Sequence, residues 1–218
     1  NIINKDRNVS AIEINAGELA LNNVNISSAR HAVRIDGAVK ATINGGEYTL
    51  NATSGTRHAV NVSGAAKVTI KAGTFVGPKG TTMDSGSAVN VQSGAKVIIE
   101  GGDFSGGKNN LLSSNGTLTL KGGTYDKDVT KYCAEGYICE FNTTTSKYEV
   151  IEGLKGKGTE AEPFIIKNLK DLTFFRNSVN AGQTKYNTPG VWVALGADID
   201  MDGTTWQRGI GDGINATF

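Results

Sequence analysis

The sequence contains few of the residues that build metal centres and nucleophilic active sites. It has two histidines, two cysteines and three prolines in 218 residues. So few Cys and His residues nearly exclude a four-ligand structural zinc site, and so little proline excludes collagen and proline-rich linkers. No apolar run approaches the roughly 20 residues of a membrane span, so we expect no membrane insertion.

An excess of charge of either sign is also missing. The chain carries 22 Lys and Arg residues against 21 Asp and Glu residues, which gives a net charge of +1. A protein that binds nucleic acid by releasing counterions is normally more basic than this. We therefore expect no nucleic-acid partner.

Glycine, in contrast, is abundant, and it recurs within a repeated motif. The chain has 29 glycines, about twice the average usage. A segment that begins with glycine and ends on an apolar anchor residue occurs once weakly and four times clearly: Gly17–Ile26, Gly37–Tyr48, Gly64–Phe75, Gly94–Phe104 and Gly116–Tyr125. The anchors follow one another at intervals of 21 to 29 residues, which is the length of one coil of a parallel β-solenoid.

Within each repeat the apolar residues alternate with polar ones, as in Val33 and Ile35, and no helical period occurs before about residue 165. We therefore predict an all-β fold in which residues 1–126 form a right-handed parallel β-helix. A hairpin closing segment follows at 127–152. The start of a second module, with one short helix, follows at 153–218.

Stacking of the coils predicts columns of equivalent residues about 4.8 Å apart. The inner column is Ile43, Ile70, Ile99 and Leu120, and the aromatic column is Tyr48, Phe75, Phe104 and Tyr125. A glycine column, at a corner that excludes side chains, is Gly46, Gly73, Gly102 and Gly123. An outer column is Asn44, Lys71, Glu100 and Lys121.

The last third of the chain has a different pattern. Residues 141–150 predict a hairpin with a Thr/Asn turn. Asn168 is the expected N-cap of a helix that ends near Gly182. Strands are predicted at Val191–Leu195 and Ala197–Met201.

Two elements carry a resemblance to a known kind of protein. The first is Gly122-Gly-Thr-Tyr125 with Ala134-Glu-Gly-Tyr137 and Tyr148-Glu-Val150. The second is Gly156-Lys-Gly-Thr159 with Pro163-Phe-Ile-Ile166, Asp198-Ile-Asp-Met201, Trp206 and Ile210-Gly211. These runs resemble the closing element and the module start of β-helical adhesin-like surface proteins of gut bacteria.

The resemblance implies a non-catalytic, adhesin-like protein on the bacterial cell surface, in which a rigid β-helix binds a host or microbial glycan or a matrix protein. A structural spacer or stalk without a ligand is one alternative, and a carbohydrate-active lyase or hydrolase is another. We expect a monomeric fragment of a longer chain, whose truncated second module could cap the solenoid.

Two sets of basic residues are candidate ligand-binding groups. Arg30 and His31 recur as Arg57 and His58, so stacked pairs could bind an anionic sugar or sulfate. Duplication of a coil together with its residues is the alternative explanation. The column Lys40, Lys67 and Lys96 brings like charges together, so we expect it to lie in water as a contact surface.

Asp198, Asp200 and Asp202, followed by Gly203, match the opening of a calcium-binding loop. Position twelve of that loop would be Gly209 instead of Glu, and alternation along a strand gives the same spacing. A Ca²⁺ ion is thus the one cofactor considered, and no other is expected.

Cys133 and Cys139 lie six residues apart. In an exported protein we expect them to form a local disulfide, because that compartment is oxidising. Two buried thiols are the alternative.

An enzyme would need a pair of carboxylates in a cleft. Asp36, Asp84, Glu100 and Asp103 were the acidic candidates, and the repeat places no two of them in a clear pair. We therefore expect no catalytic residue.

Overall fold

The computed structural model describes residues 1–52, 56–78, 86–107 and 111–211. This part of the chain is mostly β, with one α-helix. Its strands are, in chain order, β1 (Ile2–Asn4), β2 (Ile12–Leu21), β3 (Ile26–Ser28), β4 (Val33–Leu50), β5 (His58–Val62), β6 (Lys67–Val76), β7 (Ser87–Val91), β8 (Lys96–Ile99), β9 (Asp103–Ser105), β10 (Leu112–Ser114), β11 (Thr117–Leu120), β12 (Thr124–Tyr125), β13 (Tyr137–Asn142), β14 (Lys147–Glu152), β15 (Phe164–Ile166) and β16 (Val193–Leu195). The α-helix, α1, spans Leu169–Asn180, and a 3₁₀ turn spans Thr130–Tyr132.

Contacts divide the chain into two units, Asn1–Ile151 and Glu152–Phe218. In the first unit the strands join one large mixed sheet. Successive repeats pair with each other in parallel: β2 with β4, β4 with β6, β6 with β8, and β8 with β11.

The registers confirm the predicted inner column. Ile43 pairs with Ile70, Ile70 pairs with Ile99, and Ile99 pairs with Leu120. All four side chains of this inner column are fully buried. The repeat that is visible in the sequence is therefore the unit that stacks, and each inward residue meets its own equivalent.

The aromatic column is a continuous stack of rings. Tyr48, Phe75, Phe104 and Tyr125 follow one another with ring centroids 4.9, 4.8 and 5.0 Å apart. Neighbouring ring planes differ by only 4°, 7° and 11°, and none of the rings is exposed. The two phenols at the ends remain satisfied in the core because Tyr48 donates a hydrogen bond to the carbonyl of Gly45 and Tyr125 donates one to that of Gly122.

The glycine column lies against these rings. Its glycines adopt backbone dihedral angles that disfavour other residues, and a side chain at their positions would have no space. Gly73 and Gly102 have φ angles of 129° and 115°, in a region that L side chains rarely adopt. A Cβ on Gly102 would lie 2.9 Å from the carbonyl oxygen of Gly73 and 3.2 Å from the ring of Phe104. Glycine thus lets each ring approach the neighbouring backbone.

The predicted outer column is wrong at its first member. The register shifts after Ile43, so that Asn44 pairs with Ala72 instead of Lys71. A second irregularity follows before Glu47. Such bulges insert unpaired residues at a corner, and the period-two pattern that predicts a column does not encode them.

The closing segment covers one end of this core. β14 pairs antiparallel with β12, and β13 follows β14 in the sheet. Between them, the Asn142 side chain accepts hydrogen bonds from the amides of Thr144 and Thr145, which forms the expected turn. Val129 and Val150 from this segment are buried in the same apolar cluster as the inner column.

The second unit contains the predicted helix. Asn168 caps α1 by accepting a hydrogen bond from the amide of Asp171, and Gly182 follows the helix with a φ of 72°. The strand predicted at Val191–Leu195 is shortened to β16, which pairs in parallel with β15. The strand predicted at Ala197–Met201 does not form: those residues pair with no other strand in the part of the chain that is described.

A search of the described residues found no helix long and apolar enough to cross a membrane.

We predict that Gly102→Ala costs more stability than Gly17→Ala. Both glycines have positive φ angles, 115° and 90°, but a Cβ at Gly17 meets nothing within 4 Å. The contact of the new methyl group with Gly73 and Phe104 should add about 1–3 kcal/mol to the loss at Gly102. Urea unfolding of the two variants measures the difference, and equal losses would contradict the close packing of the column.

Candidate functional site

The structure places His31 and His58 inside the first unit. Their exposed fractions are 7 % and 5 %, and their rings stack with centroids 5.5 Å apart and planes 2° apart. His58 pairs in register with Ser87, so the polar column continues into the next repeat. His58 begins β5, two residues before the buried Val60, and His31 lies two residues before Val33, the first residue of β4.

Hydrogen bonds between repeats hold these rings. Nδ1 of His31 accepts a hydrogen bond from the amide of His58 at 3.1 Å, and Nδ1 of His58 accepts one from the amide of Ser87 at 3.2 Å. Burial lowers the pKa of His31 to about 4 and that of His58 to about 3. Neutral, enclosed imidazoles offer no charge to an anion, so this geometry argues against the expected anion-binding role.

The two arginines of the expected pairs have different surroundings. Arg30 is half-buried and donates a hydrogen bond to the carbonyl of Asn8 at 2.6 Å. Arg57 is also half-buried, and its Nε has no hydrogen-bond partner among the described residues. The duplicated Arg-His sequence thus contributes a buried imidazole column, while its arginines remain at the boundary with solvent.

The lysine column lies outside, as expected. Lys40 pairs in register with Lys67, and Lys67 with Lys96, and all three side chains are exposed. We call these three residues the lysine row. Lys40 forms an ion pair with Glu18 at 3.6 Å, in which both side chains are more than 70 % exposed. Lys67 and Lys96 form no ion pair with any described residue.

The spacing of the lysine row is unfavourable for the free protein. Two unit charges held at the strand spacing of about 4.8 Å would repel each other by about 1 kcal/mol in water before screening by salt, and side chains that point apart reduce this repulsion. Thr117 continues the row beyond Lys96, and Glu18 begins it beside Lys40. Beside the row run Thr42, Thr69 and the partly exposed Ile98.

Other charged and amide groups form ion pairs and hydrogen bonds with one another, and the sequence analysis did not predict these pairs. Arg34 forms ion pairs with Glu13 at 2.9 Å and with Asp36 at 3.2 Å. Asn90 donates a hydrogen bond to Asn61 at 2.7 Å. The equivalent positions of Asn61 and Asn90 in their repeats were the available signal, because equivalent residues become neighbours when the coils stack.

Two of the four acidic candidates for an enzyme, Asp36 and Asp103, are used in such interactions. Asp36 accepts hydrogen bonds from Ser63 and from the amide of Gly37, which hold its pKa below the usual value. Asp103 forms an ion pair with Lys147. Asp84 lies outside the described residues.

In the second unit the three aspartates lie in an exposed segment. The amide of Asp202 donates a hydrogen bond to the carboxylate of Asp200 at 2.8 Å, and Asp202 has a φ of 48°, which is typical of a turn. No group of three or more His, Cys, Asp or Glu side chains in the described ranges could hold a metal ion. The expected convergence of Asp198, Asp200 and Asp202 on Ca²⁺ therefore finds no support. Asp198 instead lines an open groove of about 850 Å³ with Leu172 and Leu195.

Cys133 and Cys139 do not form the expected disulfide in this structure. Both are half-buried thiols that pack against the apolar core of the first unit. Cys133 lies beside Leu120 in an isolated bridge, whereas Cys139 makes hydrogen bonds with the Asp128 and Thr130 side chains and the Val129 backbone. Burial raises the pKa of the Cys139 thiol.

Comparison of the chain with models of protein families, with curated proteins and with solved structures found no match.

We predict that the buried histidines make the protein sensitive to acid. In the unfolded chain their pKa is about 6.5, so as the pH falls below that value the unfolded state takes up protons that the folded state refuses until about pH 4. Stability is thus present above pH 6.5 and lost below it, by on the order of 3 kcal/mol per histidine at pH 4.

The measurement is the free energy of unfolding in urea between pH 7 and pH 4. The double variant His31→Ser/His58→Ser, which copies the Ser87 of the next repeat, should be less stable at pH 7. Its free energy of unfolding should also fall less steeply as the pH is lowered. A slope equal to that of the wild type would show that these imidazoles already take up protons in the fold.

We also predict that Cys139 reacts slowly in the native protein, because its thiol is half-buried and its pKa is raised. Iodoacetamide labelling at pH 8 should be much slower than that of glutathione, and Cys133→Ser isolates the signal from Cys139. When the wild-type protein is unfolded in urea without reductant, iodoacetamide should label both Cys133 and Cys139. Failure to label there would show that the two cysteines are joined by a disulfide.

Proposed function

We propose that residues 1–126 form a right-handed parallel β-helix and that this module is a non-catalytic, adhesin-like binding element of an extracellular bacterial surface protein. The parallel registers between successive repeats support the first part of this proposal. A chain that returns in parallel to the same position after 21 to 29 residues must make one full turn. Parallel crossovers are right-handed in nearly all proteins.

The observation that carries the binding role is the exposed lysine row on a rigid sheet. The buried ladders of the core fix the positions of the three Cα atoms, so the row is straight and preorganised. A preorganised surface loses less entropy when it binds. Because the surface is shallow, we expect weak binding by one module and tighter binding by several displayed together.

A spacer is the second candidate, and the continuity of the core favours it. Each repeat pairs with its neighbours, and the inner and aromatic columns pass through four repeats without interruption. Such a solenoid grows in length with each added coil and can hold a distant domain away from a cell surface.

The test is one incubation of the protein on an array of host glycans, plant glycans and matrix proteins, read for retained protein and for altered sugars. The triple variant Lys40→Gln/Lys67→Gln/Lys96→Gln should lose most of its retention. The control Lys5→Gln/Lys155→Gln/Lys170→Gln, which has the same net charge and also changes exposed side chains, should keep it.

Retention of the wild type without altered sugars is the expected result. Altered sugars would contradict the non-catalytic proposal. Absence of retention on every spot would contradict binding and favour the spacer.

A further inference from the structure

We propose that the lysine row binds a linear acidic polysaccharide, with the ligand chain lying across the strands along the direction in which the repeats stack. This inference rests on the proposed binding function and names its ligand class. The elements that carry it are the register of Lys40, Lys67 and Lys96, their exposure, and the groups that flank them.

Two members of the lysine row, Lys67 and Lys96, differ from the basic residues of this unit that carboxylates hold. Arg34 is held by two carboxylates, and Lys147 is held by Asp103. Lys67 and Lys96 have no acidic partner in the described part of the chain. Their ammonium groups are therefore available to an external anion, which would also relieve the repulsion along the row.

The geometry favours an extended ligand over a compact one. The three Cα atoms lie on one line that spans about 10 Å, at two steps of about 4.8 Å each. Contact of one phosphate or sulfate ion with all three side chains would draw three like charges together, which is unfavourable. A chain that carries a carboxylate or sulfate on successive sugars presents its charges along a line, and lysine, as a flexible point charge, tolerates variation in their spacing.

The column beside the row suits a sugar better than a nucleic acid. It carries the hydroxyl groups of Thr42 and Thr69 and the partly exposed side chain of Ile98. Hydroxyl groups can hydrogen-bond with sugar hydroxyls, and Ile98 offers an apolar contact. Binding of single-stranded nucleic acid uses aromatic side chains on which bases stack, and the strand positions that make up these two columns carry none.

The two ends of the row give the bound chain a preferred position. Glu18 lies in register next to Lys40 and repels an anion, whereas the uncharged Thr117 lies in register next to Lys96. The ligand should therefore extend beyond Lys96 and over Thr117. A lysine at position 117 would lengthen the row at the end where the ligand continues.

The test compares Thr117→Lys with Thr74→Lys. Both replace an exposed strand threonine and add one positive charge, but Thr74 lies in a different register row, between Glu47 and Asp103. Binding to polygalacturonate is measured by calorimetry or interferometry at several salt concentrations, with dextran as the neutral polymer, poly-glutamate as the acidic polypeptide and oligo-dT as the nucleic acid. Circular dichroism melting verifies that each variant is folded.

We expect Thr117→Lys to bind polygalacturonate at least threefold more tightly than the wild type and to steepen the dependence of log K on log salt by about one unit. Lys67→Gln should reduce that slope by about one unit. Thr74→Lys should bind as the wild type does.

Four results would overturn the inference. Equal gains from Thr117→Lys and Thr74→Lys would show that only net charge matters. Tighter binding to oligo-dT or to poly-glutamate than to polygalacturonate would identify a different class of ligand. If the protein binds dextran and Lys67→Gln leaves that binding unchanged, the inference is contradicted, but the proposed binding function is not. If the protein binds none of the four polymers, the inference is contradicted. Retention of the protein on the glycan and matrix-protein array then tests the proposed binding function separately.

Discussion

The contact on which the first unit depends is the stack of aromatic rings over a column of glycines. Each ring lies about 5 Å from the next, close to the spacing of hydrogen-bonded strands, so ring stacking and strand pairing are satisfied by the same register. The glycine two residues earlier keeps space for the ring. A slip of one residue would turn Phe75 outward and place a side chain where Gly73 must be, so the register is strongly specified.

This fixed register also determines which polar residues face the core and which face water. His31 has the same parity as Val33 and is enclosed, while Lys40 has the same parity as Thr42 and remains in solvent. The enclosed imidazoles are tolerated because each Nδ1 accepts an amide hydrogen bond from the following repeat. On the outside, the same stacking converts one lysine per repeat into a straight row of charge.

Much of this arrangement could be predicted from the sequence, because repeated intervals and period-two alternation together define columns. The burial of His31 was not predicted, because the residue lies just before β4 and its neighbour Ala32, of the opposite parity, is buried as well. The register shift after Ile43 could not be predicted, because a second shift before Glu47 compensates it and the two repeats have the same length from Ile43 to Tyr48 and from Ile70 to Phe75. Alternation was likewise misleading at Ala197–Met201, because a strand needs a hydrogen-bonding partner that local sequence does not reveal. Whether Cys133 and Cys139 are free thiols or form a disulfide depends on the contacts that each makes in three dimensions, which the sequence does not reveal.

The central claim is that successive repeats stack in parallel and in register, and nuclear Overhauser effects between the aromatic rings test it most directly. The account predicts cross-peaks between Tyr48 and Phe75, between Phe75 and Phe104, and between Phe104 and Tyr125, with none between Tyr48 and Phe104. Strong contacts between Hα atoms on the strands of neighbouring repeats, which are typical of antiparallel pairing, would contradict it, and so would the absence of ring contacts between those repeats.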